Sequence, residues 1–490
     1  MMIHLAFDLG ASSGKLLAGK IENSKIVMEE IHRFENGPLR LANGLYWNFM
    51  GIYSSLMSGL KKAQGRFGND IASLGIDSFS SDFSLVGKDG DLMCPVRCYR
   101  DERTARTEHS TYATVSKREL YFSCGNQIAS FTTLVQLAAM RAEGKDEALD
   151  RAHKLLFVPD LLTFYLTGEA VSEYTVASVS QMYSPHEKTW NEKILRAFNI
   201  PSHIPAEIIM PGTRAFPVSS RVLEDNALTP FSVIPVCEHD TASAFLASPE
   251  TGTAILSSGT WSLLGCEVES PIITDFGFAH NIANEGGYPG PHHRLLCNIM
   301  GTWLLQQLRS ELAAEGTVYG YDELRALAEC QKPSRWFIDV DHADFFSPGD
   351  IRRKIRRNCA SMDGSLPETP GDFIRCAYDN LALKYRRVLD KIEKNAGKKF
   401  EKLIIVGGGS RDSLMCRFTA DSCGLTVSTG ISDSTALGNI AVQMVACKEL
   451  KDVAEARELI SQSYPPNVYE PRDTNAWDDA YGAYEHALFA

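Results

Sequence analysis

The chain opens on a run dominated by apolar residues, Ile3 to Leu9, which predicts a strand. A tight turn of small residues, Gly10 to Gly14, follows it. Lys15 to Ile21 and Lys25 to Phe34 then read as a second and a third strand. From Tyr46 to Gly65 the period lengthens: Ile52, Leu56 and Leu60 recur at helical spacing and share one face. Ile71 to Ser78 and Phe83 to Val86 return to strand. Helical segments are expected around 102 to 110 and 131 to 143. Another runs from Val158-Pro159-Asp160 through Leu166 and is ended by Gly168. Leu403 to Val406 is a late buried strand leading into Gly407-Gly408-Gly409. The pattern is mixed α/β, with consecutive antiparallel strands at its start.

The opening pattern recurs. Gly252 to Gly265 mirrors Ile3 to Gly19: an apolar strand, a small polar turn containing Gly, then Leu-Leu and a further Gly. Two related halves are expected, with a boundary near 245 to 250 where Ala247-Ser248-Pro249-Glu250 breaks the pattern. The expected domains are 1–246 and 247–490. A length of 490 residues agrees with several compact units at roughly 150 residues each.

Composition narrows the function. With 44% hydrophobic and 22% charged residues, the chain is neither disordered nor fibrous. The net charge is -12, and the densest basic stretch, Arg352-Arg353-Lys354-Ile355-Arg356-Arg357, reads as a solvated helix face, so nucleic acid is not the expected partner. No apolar run approaches the roughly 18 to 20 residues of a membrane helix. The first eight residues lack a basic n-region, so no signal peptide and a cytoplasmic location are expected. Twelve cysteines are then expected as reduced thiols. Cys94 and Cys98 have no second ligand pair at zinc spacing, and whether Cys359 and Cys376 pair is not readable. The sequence leaves a homo-oligomer open.

Three turns have phosphate-binding chemistry. In Asp8-Leu9-Gly10-Ala11-Ser12-Ser13-Gly14-Lys15, small residues let successive amides form an anion nest. Ser12 and Ser13 add hydroxyl donors, and Asp8 could hold Mg²⁺ through water. It is not a P-loop: Gly10 and Gly14 enclose three residues, and Leu16 follows the Lys. Nor does a protein-kinase catalytic loop precede Asp8. Ser257-Ser258-Gly259-Thr260 is the second turn. For both, an ordinary hairpin turn is the competing reading. Gly407-Gly408-Gly409, directly after a buried strand, favours close approach of a ligand.

Asp240, in Cys237-Glu238-His239-Asp240-Thr241-Ala242-Ser243-Ala244, follows the apolar run Val233 to Val236. It reads either as a helix N-cap or as a general base taking a proton from a substrate hydroxyl, and one residue can do both. A carboxylate between phosphate-gripping turns suits phosphoryl transfer.

These motifs, taken in order, resemble the FGGY carbohydrate kinases over essentially the whole length. The resemblance is carried by Asp-Leu-Gly-Ala-Ser-Ser-Gly-Lys at 8 to 15, His-Arg-Phe at 32 to 34, Tyr-Arg-Asp at 99 to 101 and Glu-Tyr-Thr at 173 to 175. It continues in His-Asp-Thr-Ala-Ser-Ala at 239 to 244, Leu-Ser-Ser-Gly-Thr-Trp-Ser at 256 to 262, Asn-Glu-Gly-Gly at 284 to 287, Asn-Ile-Met-Gly at 298 to 301 and Val-Gly-Gly-Gly at 406 to 409. It implies two actin-like (ribonuclease H-like) α/β domains with ATP in the cleft between them. The N-terminal domain would carry the sugar site and the first phosphate hairpin, the C-terminal one the nucleotide site. By matched position Asp240 would be the proton acceptor. Ala11, Ser12, Ser13, Gly14, Lys15, Thr260, Gln306 and Gly408 would contact ATP. His239, Thr241 and Asn298 would lie against the sugar, and Asp8 would help position Mg²⁺. Ser80 stands where relatives with these motifs carry a Gly expected at the sugar. Asp412 stands where many have Asn, adding a negative charge near the nucleotide end. The implied activity is ATP-dependent phosphorylation of a ketose at its primary hydroxyl, L-rhamnulose ahead of L-fuculose or a xylulose. The alternative from another class is a non-catalytic sugar or nucleotide sensor, which would have no need of Asp240.

Overall fold

Strand Ile3–Leu9 is buried along almost its whole length because it is flanked on both sides. It pairs antiparallel with Ser13–Glu22 and parallel with Ile71–Ser78, in a computed structural model that describes residues 2–361 and 363–489. The end residues 1 and 490 of the expected domains lie outside the described residues. The chain divides into two compact units: Met1–Pro249 with Glu267–Leu295 and Ser434–Ser463, and Glu250–Cys266 with Leu296–Asp433 and Tyr464–Ala490.

In the first unit the strands run Phe216–Pro217, Ser232–Val233, Ile71–Ser78, Ile3–Leu9, Ser13–Glu22, Lys25–Glu35. In the second, Val468–Tyr469, Thr426–Thr429, Lys402–Val406, Ala254–Ser258 and Ser262–Val268 follow one another. The two successions share one design: an antiparallel hairpin, a parallel strand beside its first arm, a second parallel strand, then a short antiparallel edge. The hairpin repeat read from the sequence is therefore part of a repeated topology.

Helix Phe49–Phe67 buries Ile52, Leu56 and Leu60 in the core of the first unit, as the spacing predicts. It starts later than expected. Asn48 caps it by accepting the N–H of Gly51 at 3.1 Å, while Tyr46 and Trp47 belong to strand Gly44–Trp47. The other expected helices form at Arg103–Thr114, Thr133–Ala142 and Val158–Thr167, the last closed by left-handed Gly168. Helix Ile351–Asn358 buries Ile351 and Ile355, and its arginines pair with nearby carboxylates, Arg352 with Glu311 at 2.9 Å and Arg353 with Asp350 at 2.8 Å. All twelve cysteines are free, Cys359 and Cys376 among them. Among the described residues no helix is long and apolar enough to cross a membrane.

Helix Ser434–Ala446 joins the first unit from far along the chain and packs on helix Asp240–Leu246. Contact is made at Gly438, where an added Cβ would overlap the backbone carbonyl of Ser243. Backbone cannot give as a flexible side-chain end can, so Gly438→Ala must push the two helices apart. We expect a loss of about 1–3 kcal/mol and a Tm several degrees lower by calorimetry. An unchanged Tm would show that the helix contact tolerates a methyl group.

Candidate active site

The parallel register of Ile3–Leu9 and Ile71–Ser78 sets Asp8 beside Asp77, and the hairpin sets Asp8 opposite Lys15. Beyond Asp8 the turn is tightened by the N–H of Gly10 donating to the carbonyl of Ser13 at 3.0 Å. Asn36, just past the third strand, braces the turn: its N–H reaches Ser12 O at 3.1 Å and its amide Nδ2 reaches Gly10 O at 2.8 Å. Ala11 and Ser12 are left exposed at the tip.

Asp77 was not singled out in the sequence. It is fully buried, with Oδ2 accepting from Asn439 Nδ2 at 2.6 Å and Oδ1 without a hydrogen bond among the described residues. Burial, then the charge of Asp8, and more weakly that of Asp240, push its carboxyl well above the usual range; the Asn439 bond opposes them. Asp8 and Asp77 at strand ends and Asp240 at a helix start thus form a site rich in carboxyl groups around Asp77. A divalent cation fits such a site. No group of three or more His, Cys, Asp or Glu able to cage a metal exists among the described residues.

The loop before Asp240 docks on the end of strand Ile71–Ser78, the Ser78 N–H donating to the carbonyl of Glu238 at 2.8 Å. Helix Asp240–Leu246 begins there, and its N-cap is His239, not Asp240. The capping reading of Asp240 is thereby corrected: Asp240 is the first residue of the helix. Its Oδ1 accepts from the N–H and, at 3.1 Å, the hydroxyl of Thr241. Oδ2 makes no hydrogen bond among the described residues, and the side chain is 34% exposed. One oxygen is thus fixed while the other can meet a substrate hydroxyl. His239 Nε2 lies 3.5 Å from Asp240 Oδ1. Behind the imidazole, buried Arg294 stands 3.0 Å from both His239 Nδ1 and Glu285 Oε2. Burial would raise Glu285, yet Arg294 and His239 hold it below the usual carboxylate range.

Ser80 is half-buried, two residues past the Ser78 contact. Its neighbours are anchored: Phe79 stacks on Trp47 with centroids 4.3 Å apart, and the Ser81 carbonyl accepts from Thr133 Oγ1 at 2.9 Å.

In the second unit, Gln306 Nε2 donates to the hydroxyls of Thr260 and Thr302 at 3.2 and 3.1 Å, so the structure brings Thr260 and Gln306 together. Asn298 is half-buried in strand His293–Ile299. The glycine triplet divides its roles. Gly407 has φ +83°, and a Cβ there or on Gly409 would press on Ser258; Gly408 alone is exposed to open space. Asp412 has a structural explanation the sequence did not supply: it caps helix Ser413–Cys423 through Met415 N–H at 3.1 Å and accepts the Tyr378 hydroxyl at 2.6 Å.

Asn36, Asp77, Glu285 and Arg294 were missed as site residues. The one local signal was Asp77 itself, a carboxylate closing the apolar stretch Leu74-Gly75-Ile76. Asn-Glu-Gly-Gly at 284 to 287 contributed to the resemblance, but nothing in it announced a partner for His239.

Residues 3–247 match the N-terminal domain, and residues 254–447 the C-terminal domain, of the FGGY family of carbohydrate kinases. The chain is 38% identical to a rhamnulokinase of Bacteroides thetaiotaomicron, covering 97% of each chain. It is 34% identical to a rhamnulokinase of Bacillus subtilis, covering 96% of each. Among solved structures it is similar in fold to a ligand-bound xylulose kinase from Lactobacillus acidophilus, with TM-score 0.85 and 14% identity over 100% of this chain and 99% of the other. It is likewise similar to Plasmodium falciparum glycerol kinase with ADP, with TM-score 0.82 and 15% identity over 100% and 99%.

Asp82, beside this site, gives a test of the local electrostatics. It is buried and accepts from Trp47, Tyr99 and Gln136. Burial, only partly offset by these bonds, raises it to about 7. Unfolded, it titrates near pH ~4. Between these values the folded protein keeps a proton the unfolded chain has released. The associated stability is full below about pH 4 and is lost as pH rises through about 7. Tm should fall with pH across this window more steeply in the wild type than in Asp82→Asn; equal slopes would contradict the shift.

Proposed function

The chain belongs to the FGGY family of carbohydrate kinases, and from that premise we propose that it transfers the γ-phosphoryl group of ATP to the primary hydroxyl of a ketose, L-rhamnulose first, giving L-rhamnulose 1-phosphate and ADP. One observation carries the reaction: Asp240 has one carboxylate oxygen braced by Thr241 and the other open. The full-length relatives named rhamnulokinase support L-rhamnulose over L-fuculose or a xylulose.

In this reading Asp240 accepts the proton of the C1 hydroxyl as its oxygen attacks the γ-phosphorus; ADP leaves, and the proton passes to solvent. His239, Thr241, Asn298 and Ser80 face the sugar. His239 is held for this by Arg294 and Glu285. The amides and hydroxyls of Ala11, Ser12, Ser13 and Gly14, with Lys15, take the phosphates, and Thr260, Gln306 and Gly408 hold the rest of the nucleotide. Bound Mg²⁺, held by Asp8 through water, would neutralise phosphate charge. The N-terminal domain, 1–246, then carries the first phosphate hairpin and the sugar-facing residues other than Asn298, and the C-terminal domain, 247–490, the nucleotide site. We assign the enzyme to the cytoplasm, where ATP is available. A sensor reading would leave the open oxygen of Asp240 without a purpose.

The test is Mg²⁺-dependent ADP release with ATP and a panel of L-rhamnulose, L-fuculose and xyluloses. L-Rhamnulose should give the highest kcat/KM. Asp240→Asn should keep sugar binding by calorimetry and lose about 10²–10⁴-fold in kcat. Turnover of the variant within a few-fold of the wild type would refute the assignment of the base, and no release with any ketose would refute the function.

A further inference from the structure

The motif Glu173-Tyr174-Thr175 takes no part in the reaction described above, yet the side chains of Glu173 and Thr175 grip the loop that carries Asp240. Glu173 is fully buried and caps the short helix Tyr174–Ser178, Oε1 accepting from Thr175 N–H at 2.9 Å and Oε2 from Val176 N–H at 3.3 Å. A cap needs no more than this. Oε2, however, also accepts the backbone N–H of Glu238 at 3.1 Å and the hydroxyl proton of Thr175. Having donated that proton, Thr175 Oγ1 accepts the backbone N–H of His239 at 3.1 Å. The two consecutive amides just before Asp240 are thus bound from one side, one by Glu173 directly and the next through Thr175. From the other side the Ser78 N–H holds the Glu238 carbonyl.

The surroundings make this grip stiff. Asp160 Oδ1 accepts the N–H of Glu173 at 3.0 Å, and the carboxyls of Asp160 and Glu238, both fully buried, interact electrostatically. Burial, followed by the charges of Asp160 and Glu173, raises Glu238 well above the usual carboxylate range. In a dry, close-packed setting a lost acceptor cannot be replaced by water, and a displaced loop cannot relax freely.

We propose that Glu173 and Thr175 are positioning residues for phosphoryl transfer, fixing the backbone of Glu238 and His239 so that the Asp240 carboxylate stands at its reacting position. The inference rests on the reading of Asp240 as proton acceptor. Neither residue touches substrate in this scheme; both act through the loop.

Thr175→Val removes the hydroxyl at nearly constant volume, and Thr175→Ser keeps it. Steady-state kinetics with L-rhamnulose and ATP should show kcat of Thr175→Val down by about tenfold or more, since small misplacements at a reacting group are costly. KM for both substrates should stay within about threefold. Thr175→Ser should recover most of the rate. Placed in Asp240→Asn, Thr175→Val should cost less than about twofold further, because the group it positions is already disabled. The proposal is overturned if Thr175→Val turns over within twofold of wild type, if Thr175→Ser is as slow as Thr175→Val, or if the loss is as large in the Asp240→Asn background. Glu173→Gln, nearly isosteric, gives the same reading if Thr175→Val does not fold. The wild-type arm is read first: a wild type inactive on every ketose would refute the proposed function itself. An active wild type with an indifferent Thr175→Val would refute only the positioning role.

Discussion

Both backbone polar groups of Glu238 are held. Its carbonyl accepts from Ser78 at the end of a central strand, and its N–H donates to the buried carboxylate of Glu173. Everything that gives Asp240 a chemical role depends on this clamp. It joins the loop to the strand that carries Asp77, which lies in register with Asp8. It also sets the N-cap at His239, so that Asp240 is the first residue of the helix, with Oδ1 held by Thr241.

The electrostatics follow from the same arrangement. Parallel pairing forces Asp8 and Asp77 to be neighbours, and nothing in their own strands separates the two charges. The protein answers with Asn439 from a distant segment, donating to Asp77 at 2.6 Å, and with Lys15 across the hairpin from Asp8. Negative charge concentrated on strand ends attracts a cation and its phosphates, and is costly when left alone.

Much of this was legible in the sequence, for physical reasons that vary from residue to residue. The two hairpins were visible because a strand, a small turn and a returning strand are consecutive in the chain. The face of helix Phe49–Phe67 was visible because Ile52, Leu56 and Leu60 repeat at the helical period. Its start was misread because Tyr46 and Trp47 are apolar and extend the period backwards, whereas the Asn48 cap is what ends the preceding strand. Asp77, Asn36 and the Arg294–Glu285 pair were not legible as site residues, because each acts through a neighbour dozens to hundreds of positions away. Asp412 shows the converse: a residue read only as a negative charge near the nucleotide end has both oxygens committed to Met415 and Tyr378.

The claim on which the account turns is that the open oxygen of Asp240 meets the hydroxyl that becomes phosphorylated. The most direct measurement is a crystal structure of Asp240→Asn soaked with L-rhamnulose, since that variant should bind the sugar without consuming it. The account predicts the C1 hydroxyl within hydrogen-bond distance, about 3 Å, of the side chain at position 240. A sugar bound with that hydroxyl facing away, and with the side chain at position 240 touching no substrate atom, would contradict it.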